Sequence, residues 1–170
     1  MGGAALIALL VFLGGRGSTG GEVKATAAPA FTMPSTAGGE VALSDLAGHN
    51  VLLYFNEGVG CDACFTQTLE LERVSDELAA KDITLVPIVM NALDSVRSEL
   101  DRFGITTPYL IDDGTASRAY GVLGNGMHAN LPGHGFVFIN ANGKIRWQKE
   151  YPSMYASAGE VLGAIDRFAL

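Results

Sequence analysis

The stretch NVLLYFNEGVGCDACFTQTLELE, residues 50–72, decides the fold. Its first part, Val51–Phe55, is a short continuous apolar run, as expected of a strand covered on both faces. Its second part carries the chain's two cysteines, Cys61 and Cys64, three residues apart. From Cys64 the pattern turns helical up to Ala80. Leu71, Val74 and Leu78 recur on one face, and Glu70, Glu72, Arg73 and Glu77 are left for the wet side. A strand, a tight glycine-bearing loop and a helix thus deliver a CxxC pair to a helix amino terminus. Unpaired N–H groups and the positive end of the helix dipole stabilise an anion there, so a thiol ionises more readily.

Working outward, the chain alternates short β-like and helical runs. Phe31–Pro34 and Gly39–Leu43 read as an amino-terminal hairpin, with a capped turn at Ser44-Asp45-Leu46. Ile83–Val89 is the next strand, and Pro87 within it calls for an edge or a bulge. Ser95–Phe103 reads as a helix closed by Gly104, Pro108–Ile111 as a strand and Ala116–Tyr120 as a short helix. Gly135–Ile139 and Lys144–Lys149 flank the turn residues Asn140-Ala141-Asn142-Gly143. Ser157 with Glu160 opens a last helix that offers Val161, Leu162, Ile165 and Phe168 to the core. This order predicts a three-layer α/β sandwich with a mixed central sheet and helices on both faces.

Composition bounds the partners. Of 170 residues, 48% are hydrophobic, enough for one domain with a real core. A net charge of −7 argues against nucleic acid and against a polybasic grip on lipid. Two cysteines cannot build a disulfide framework, and their spacing belongs to redox or metal chemistry. Ala4–Leu13 is apolar but shorter than the roughly 20 residues that span a bilayer, and no Lys or Arg precedes it. Residues 1–15 are therefore expected to be a signal-like segment, an uncleaved anchor or the second half of a transmembrane helix that starts upstream, with the last favoured, residues 16–28 a flexible tether, and residues 29–170 the domain. This places the domain outside the cytoplasmic membrane, with membrane contact through the amino-terminal segment.

From Ala28 to Leu170 the chain resembles the thioredoxin-like redoxins of the alkyl hydroperoxide reductase/thiol-specific antioxidant (peroxiredoxin-type) superfamily. The likeness rests on APAFTMPSTAGGEVALSDLAGHNVLLYF, the CxxC-initiated helix, FGITTPYLIDDGTASRAYGV and GFVFINANGKIRW. It implies a thioredoxin-like fold and an activity among peroxidases, disulfide reductases and cytochrome-maturation thioredoxins. The peroxidase pattern Pro-x-x-x-Thr-x-x-Cys is not met. Glu57 and Cys61 stand at its positions before Cys64, and Tyr54 and Gly58 before Cys61. The arginine the family places just before the GFVFI-type strand is also absent, and His134 stands near that point. His134 also takes the place of the thioredoxin cis-proline, with Pro132 two residues early.

The catalytic expectation is Cys61 as nucleophile and Cys64 as the resolving thiol. Asp62 opposes thiolate formation by its charge. His134 is a candidate for facing the dithiol and tuning proton transfer, against a loop histidine bonded to backbone. Glu57 is a candidate relay for the Cys64 proton, against a solvated loop carboxylate. His49 and His128 read as ordinary loop residues, and Trp147, Tyr151 and Tyr155 as packing for the last helix or a partner-contacting rim. The leading expectation is a thiol–disulfide oxidoreductase that needs no cofactor. It would act on protein or small-molecule thiols and disulfides and be recharged by a dithiol carrier. The alternative is a thiol peroxidase using Cys61 with Cys64 resolving, and the third reading is a metal-binding module built on Cys61, Cys64 and His134.

Overall fold

The computed structural model describes residues 22–168. Among these described residues are eight strands: β1 (Glu22–Ala27), β2 (Thr32–Pro34), β3 (Glu40–Ala42), β4 (Asn50–Phe55), β5 (Ile83–Val89), β6 (Leu110–Ile111), β7 (Gly135–Ile139) and β8 (Lys144–Glu150). Five α-helices accompany them: α1 (Asp62–Glu72), α2 (Ser75–Ala80), α3 (Leu93–Phe103), α4 (Thr115–Ala119) and α5 (Ala158–Phe168). Six strands form one mixed sheet in the order β1-β8-β7-β4-β5-β6, and β2 pairs with β3 as a separate hairpin. Strands β4, β5 and β6 run parallel, while β7, β8 and β1 are antiparallel to their neighbours.

Alternation along β4 divides the core. Val51, Leu53 and Phe55 join Val86, Ile88, Val137 and Ile139 against the β2–β3 hairpin and α4. Leu52 and Tyr54 join Phe136, Phe138 and Trp147 against α1, α2 and α5. A third cluster, around Phe65, Val96, Leu100 and Tyr109, seats α3 beside α1. The expected three-layer α/β, thioredoxin-like architecture is therefore observed, with the hairpin supplying part of one outer layer.

Three expectations need correction, and a fourth falls outside the described residues. The helix read as continuous from Cys64 to Ala80 is two helices. Val74 leaves helical geometry (φ −109°, ψ 22°), and Ser75 starts α2 with Asp76 and Glu77 in its first turn. Leu71, Val74 and Leu78 all still pack in the same cluster, so the break leaves the apolar periodicity intact. Part of the expected tether is a strand: β1 pairs antiparallel with β8, Thr26 opposite Ile145. Its backbone groups find ladder partners although its sequence is small and polar. The anchor expected over 1–15, and residues 16–21, lie outside the described residues, within which no helix is long and apolar enough to cross a membrane. Pro87, finally, lies in an interior strand, but β6 pairs only with Ile88 and Val89, so on that side Pro87 meets no ladder partner among the described residues.

Candidate active site

The β4–α1 loop is built to present Cys61. Asn56 Oδ1 accepts from the Gly58 N–H at 3.0 Å, Asn91 Oδ1 accepts from Val59 N–H at 3.0 Å, and Cys61 N–H donates to Gly58 C=O at 2.9 Å. Gly58 has φ 71°, and a Cβ there would stand 1.9 Å from Asn91 Oδ1, so no side chain fits. Cys61 is the N-cap of α1, and its Sγ accepts from Cys64 N–H at 3.2 Å. The two cysteines are joined as a disulfide, with Cα atoms 5.3 Å apart. Cys61 keeps 7% exposure and Cys64 none, so an attacking group reaches Cys61 first.

Charge beside the pair is balanced. Asp62 is exposed and bonded to Arg102 Nη2 at 2.5 Å, and Arg102 also holds Glu99 through Nε at 2.7 Å. The Asp62 carboxylate that was expected to oppose a thiolate is thus paired across α1 and α3. Phe65, one residue past Cys64, stacks on Phe103 and Tyr109 and fixes α1 against that helix.

His134 is buried, at 2% exposure, and its ring does not bond to either sulfur. Nδ1 meets Tyr54 Oη at 3.1 Å, and Nε2 meets Gln67 Oε1 at 3.3 Å. Tyr54 Oη in turn lies 3.2 Å from the Cys64 carbonyl, so His134 reaches the CxxC helix through Tyr54. Burial pushes the His134 pKa down to about 4 and the Tyr54 hydroxyl well above its ordinary range. Tyr54 and Gln67 are the site residues that the sequence reading passed over. Their signals were a lone hydroxyl inside the apolar VLLYF run and a polar side chain one turn after Cys64.

Glu57 is not a solvated carboxylate, and its oxygens bond to groups other than Cys64. It is buried, and its Oε1 accepts from Met127 N–H at 2.6 Å and His128 N–H at 3.1 Å, while Oε2 takes His128 Nδ1 at 2.8 Å. It latches the loop ahead of β7 to the loop carrying Cys61, and His128, expected to be ordinary, is its partner. Pro132 forms an isolated bridge with Leu123, and every peptide bond among the described residues is trans, so it does not supply a cis-proline. His49 is on the surface with Asp82. Trp147 and Tyr151 are buried packing residues, whereas Tyr155 is exposed. Among the described residues, no group of three or more His, Cys, Asp or Glu side chains is placed to hold a metal ion.

The AhpC/TSA family profile matches residues 25–148, which contain β4, the CxxC pair, His134 and most of β8. The chain belongs to the AhpC/TSA family. A Mycobacterium tuberculosis protein named as a peroxiredoxin is 29% identical over 98 residues, 57% of this chain and 62% of its own length. A Coxiella burnetii protein named in the same way is 27% identical over 97 residues, 56% of this chain and 64% of that one. The matches thus span less than two thirds of these relatives. Among solved structures, the reduced 2-Cys peroxiredoxin of Plasmodium vivax superposes with a TM-score of 0.74 at 23% identity, covering 83% of this chain and 93% of that one. Enterococcus faecalis AhpC gives 0.76 at 15% identity, covering 84% and 90%. At such identities the superpositions speak for the fold of this AhpC/TSA chain alone.

Proposed function

We propose that this AhpC/TSA protein is a thiol peroxidase in which Cys61 attacks the peroxide and Cys64 resolves. The observation that carries the reading is the disulfide closed within the first turn of α1, its more exposed sulfur at the helix amino terminus. In the reduced state the Cys61 thiolate attacks one peroxide oxygen. The O–O bond breaks, the leaving oxygen takes a proton and departs as alcohol or water, and Cys61 becomes a sulfenic acid. Cys64 then attacks the Cys61 sulfur, water leaves, and the disulfide forms. An external dithiol carrier reduces it and is itself oxidised. The names carried by the M. tuberculosis and C. burnetii relatives support a peroxide substrate over a disulfide one. The apolar Ala4–Leu13 stretch adds a membrane-tethered, extracytoplasmic setting to the proposal.

One observation favours a second reading, exchange between this dithiol and substrate disulfides. Tyr54 and Gly58 occupy the positions where the peroxidase pattern has proline and threonine, and His134 stands where its arginine is expected. Two variants test the peroxidase assignment. With the peroxidase reading, Cys61→Ser abolishes peroxide consumption, and Cys64→Ser halts after one oxidation as a sulfenic acid that dimedone traps, read by intact mass. Full peroxide turnover in Cys61→Ser, or insulin-disulfide turnover without peroxide turnover in the parent protein, overturns it.

A further inference from the structure

The buried contacts around His134 fix where its protons sit. Gln67 Oε1 accepts from the Ala156 N–H at 2.8 Å, which settles the orientation of the amide. The His134 nitrogen facing that oxygen, Nε2, must therefore carry a hydrogen. In a neutral imidazole Nδ1 is then bare and accepts from Tyr54. Tyr54 has one hydroxyl hydrogen and two acceptors in reach, His134 Nδ1 at 3.1 Å and the Cys64 carbonyl at 3.2 Å. One of these contacts lacks a hydrogen. If His134 also carries a proton on Nδ1, every contact is satisfied, because Nδ1–H donates to Tyr54 and Tyr54 donates to the Cys64 carbonyl. The network is one proton short in the disulfide state shown.

We propose that His134, acting through Tyr54, is the group that takes up the proton released when the Cys61–Cys64 disulfide is reduced, and that it holds that proton while Cys61 is a thiolate. The inference rests on the CxxC pair being redox-active, not on the peroxide being its substrate. The balance is complete. A dithiol gives up two electrons and two protons as it closes to its own disulfide. The electrons break the Cys61–Cys64 bond, one proton goes to the buried Cys64, and the other reaches His134, leaving Cys61 as thiolate. His134 lines a cleft of about 140 Å³ that provides the path from solvent.

Groups facing His134 are few. Tyr54 comes from β4, the Phe136 ring from β7, and Gln67 from α1. Glu150 of β8 and Tyr151 just after it share the cleft lining, and the Glu150 carboxylate accepts from Asn125. In the disulfide state burial holds the imidazole neutral. The new negative charge on Cys61, in the turn whose Cys64 carbonyl Tyr54 contacts, offsets that burial. His134 is thus a positioning residue that stabilises the reactive thiolate through its charge, linked to the CxxC turn by two hydrogen bonds through Tyr54.

The test is ¹⁵N NMR of the full chain, uniformly labelled, followed from pH 4 to 9 in the oxidised form and after reduction with dithiothreitol. The oxidised protein at pH 7 shows neutral His134 as the Nε2–H tautomer, and on reduction its titration midpoint rises by about three pH units, to neutrality or above, so that the ring is protonated at pH 7. In Tyr54→Phe most of that rise is lost, while the backbone spectrum remains that of the parent fold. An Nδ1–H tautomer in the oxidised protein, a His134 that is still neutral at pH 7 after reduction, or a full rise in Tyr54→Phe overturns the proposal. Peroxide consumption is measured separately, so a chain with the redox-linked shift but no peroxide turnover refutes the peroxidase reading and leaves this one standing.

Discussion

Beside Cys61, the Asp62 carboxylate is held by Arg102 across the α1–α3 interface. Without that cation Asp62 would set a negative charge one residue from the sulfur and work against the α1 dipole. Arg102→Ala is therefore expected to raise the Cys61 thiol pKa and to slow its alkylation at neutral pH a few-fold. The pH–rate profile of iodoacetamide labelling measures this, and Asp62→Asn together with Arg102→Ala restores the parent rate. The CxxC and its helix start were legible in the sequence because both are local. The surroundings of His134 were not, since Tyr54 and Gln67 arrive from positions 80 and 67 residues away. Glu57 was misread for a similar reason: the backbone N–H groups that bury it belong to Met127 and His128.

Among the elements, α1 is anchored at both ends. At its far end Glu72 Oε1 accepts from the N–H and hydroxyl of both Thr106 and Thr107. Partial burial pushes its carboxyl pKa up, but these hydrogen bonds outweigh that and hold it below the ordinary value of 4.5. The folded state therefore binds this proton less readily than the unfolded chain does. Its contribution is complete above pH 4.5 and is lost as pH falls through the lower folded value. Glu72→Gln is expected to lower the thermal midpoint at pH 7 and to narrow its gap to the parent as the pH drops below that window. On α3, Gly104 closes the helix at φ 70°, and Gly104→Ala should cost about 1 kcal/mol in a urea titration. Its role was readable from the sequence, whereas the break at Val74 was not, because both sides of it serve one apolar face.

For the whole molecule, the sheet face toward α1 and α5 carries a run of stacked rings. Tyr54 lies 4.7 Å from Phe136, and Phe136 lies 6.4 Å from Trp147. Phe136→Ala removes the middle ring from a fully buried position and should destabilise the fold by about 3–5 kcal/mol, with the denaturant slope unchanged. Neutral His134 adds an acid sensitivity to the same core. Its folded pKa, about 4, lies below the ordinary 6.5, so stability of the oxidised protein is complete above 6.5 and falls progressively toward pH 4. His134→Gln should flatten that limb in thermal melts. Most of the architecture was visible in the apolar runs and turns; β1 was not, because its glycine-rich, polar approach reads as a tether and its partner β8 lies more than a hundred residues on.

The central claim is that the Cys61–Cys64 dithiol reduces peroxide by itself. Stopped-flow mixing of the fully reduced chain with one equivalent of hydrogen peroxide tests it most directly, with intact mass taken at the end point. The account predicts loss of both thiols in a single turnover, as an intramolecular disulfide, at a rate far above that of free cysteine at the same pH. Oxidation at the free-cysteine rate would contradict it.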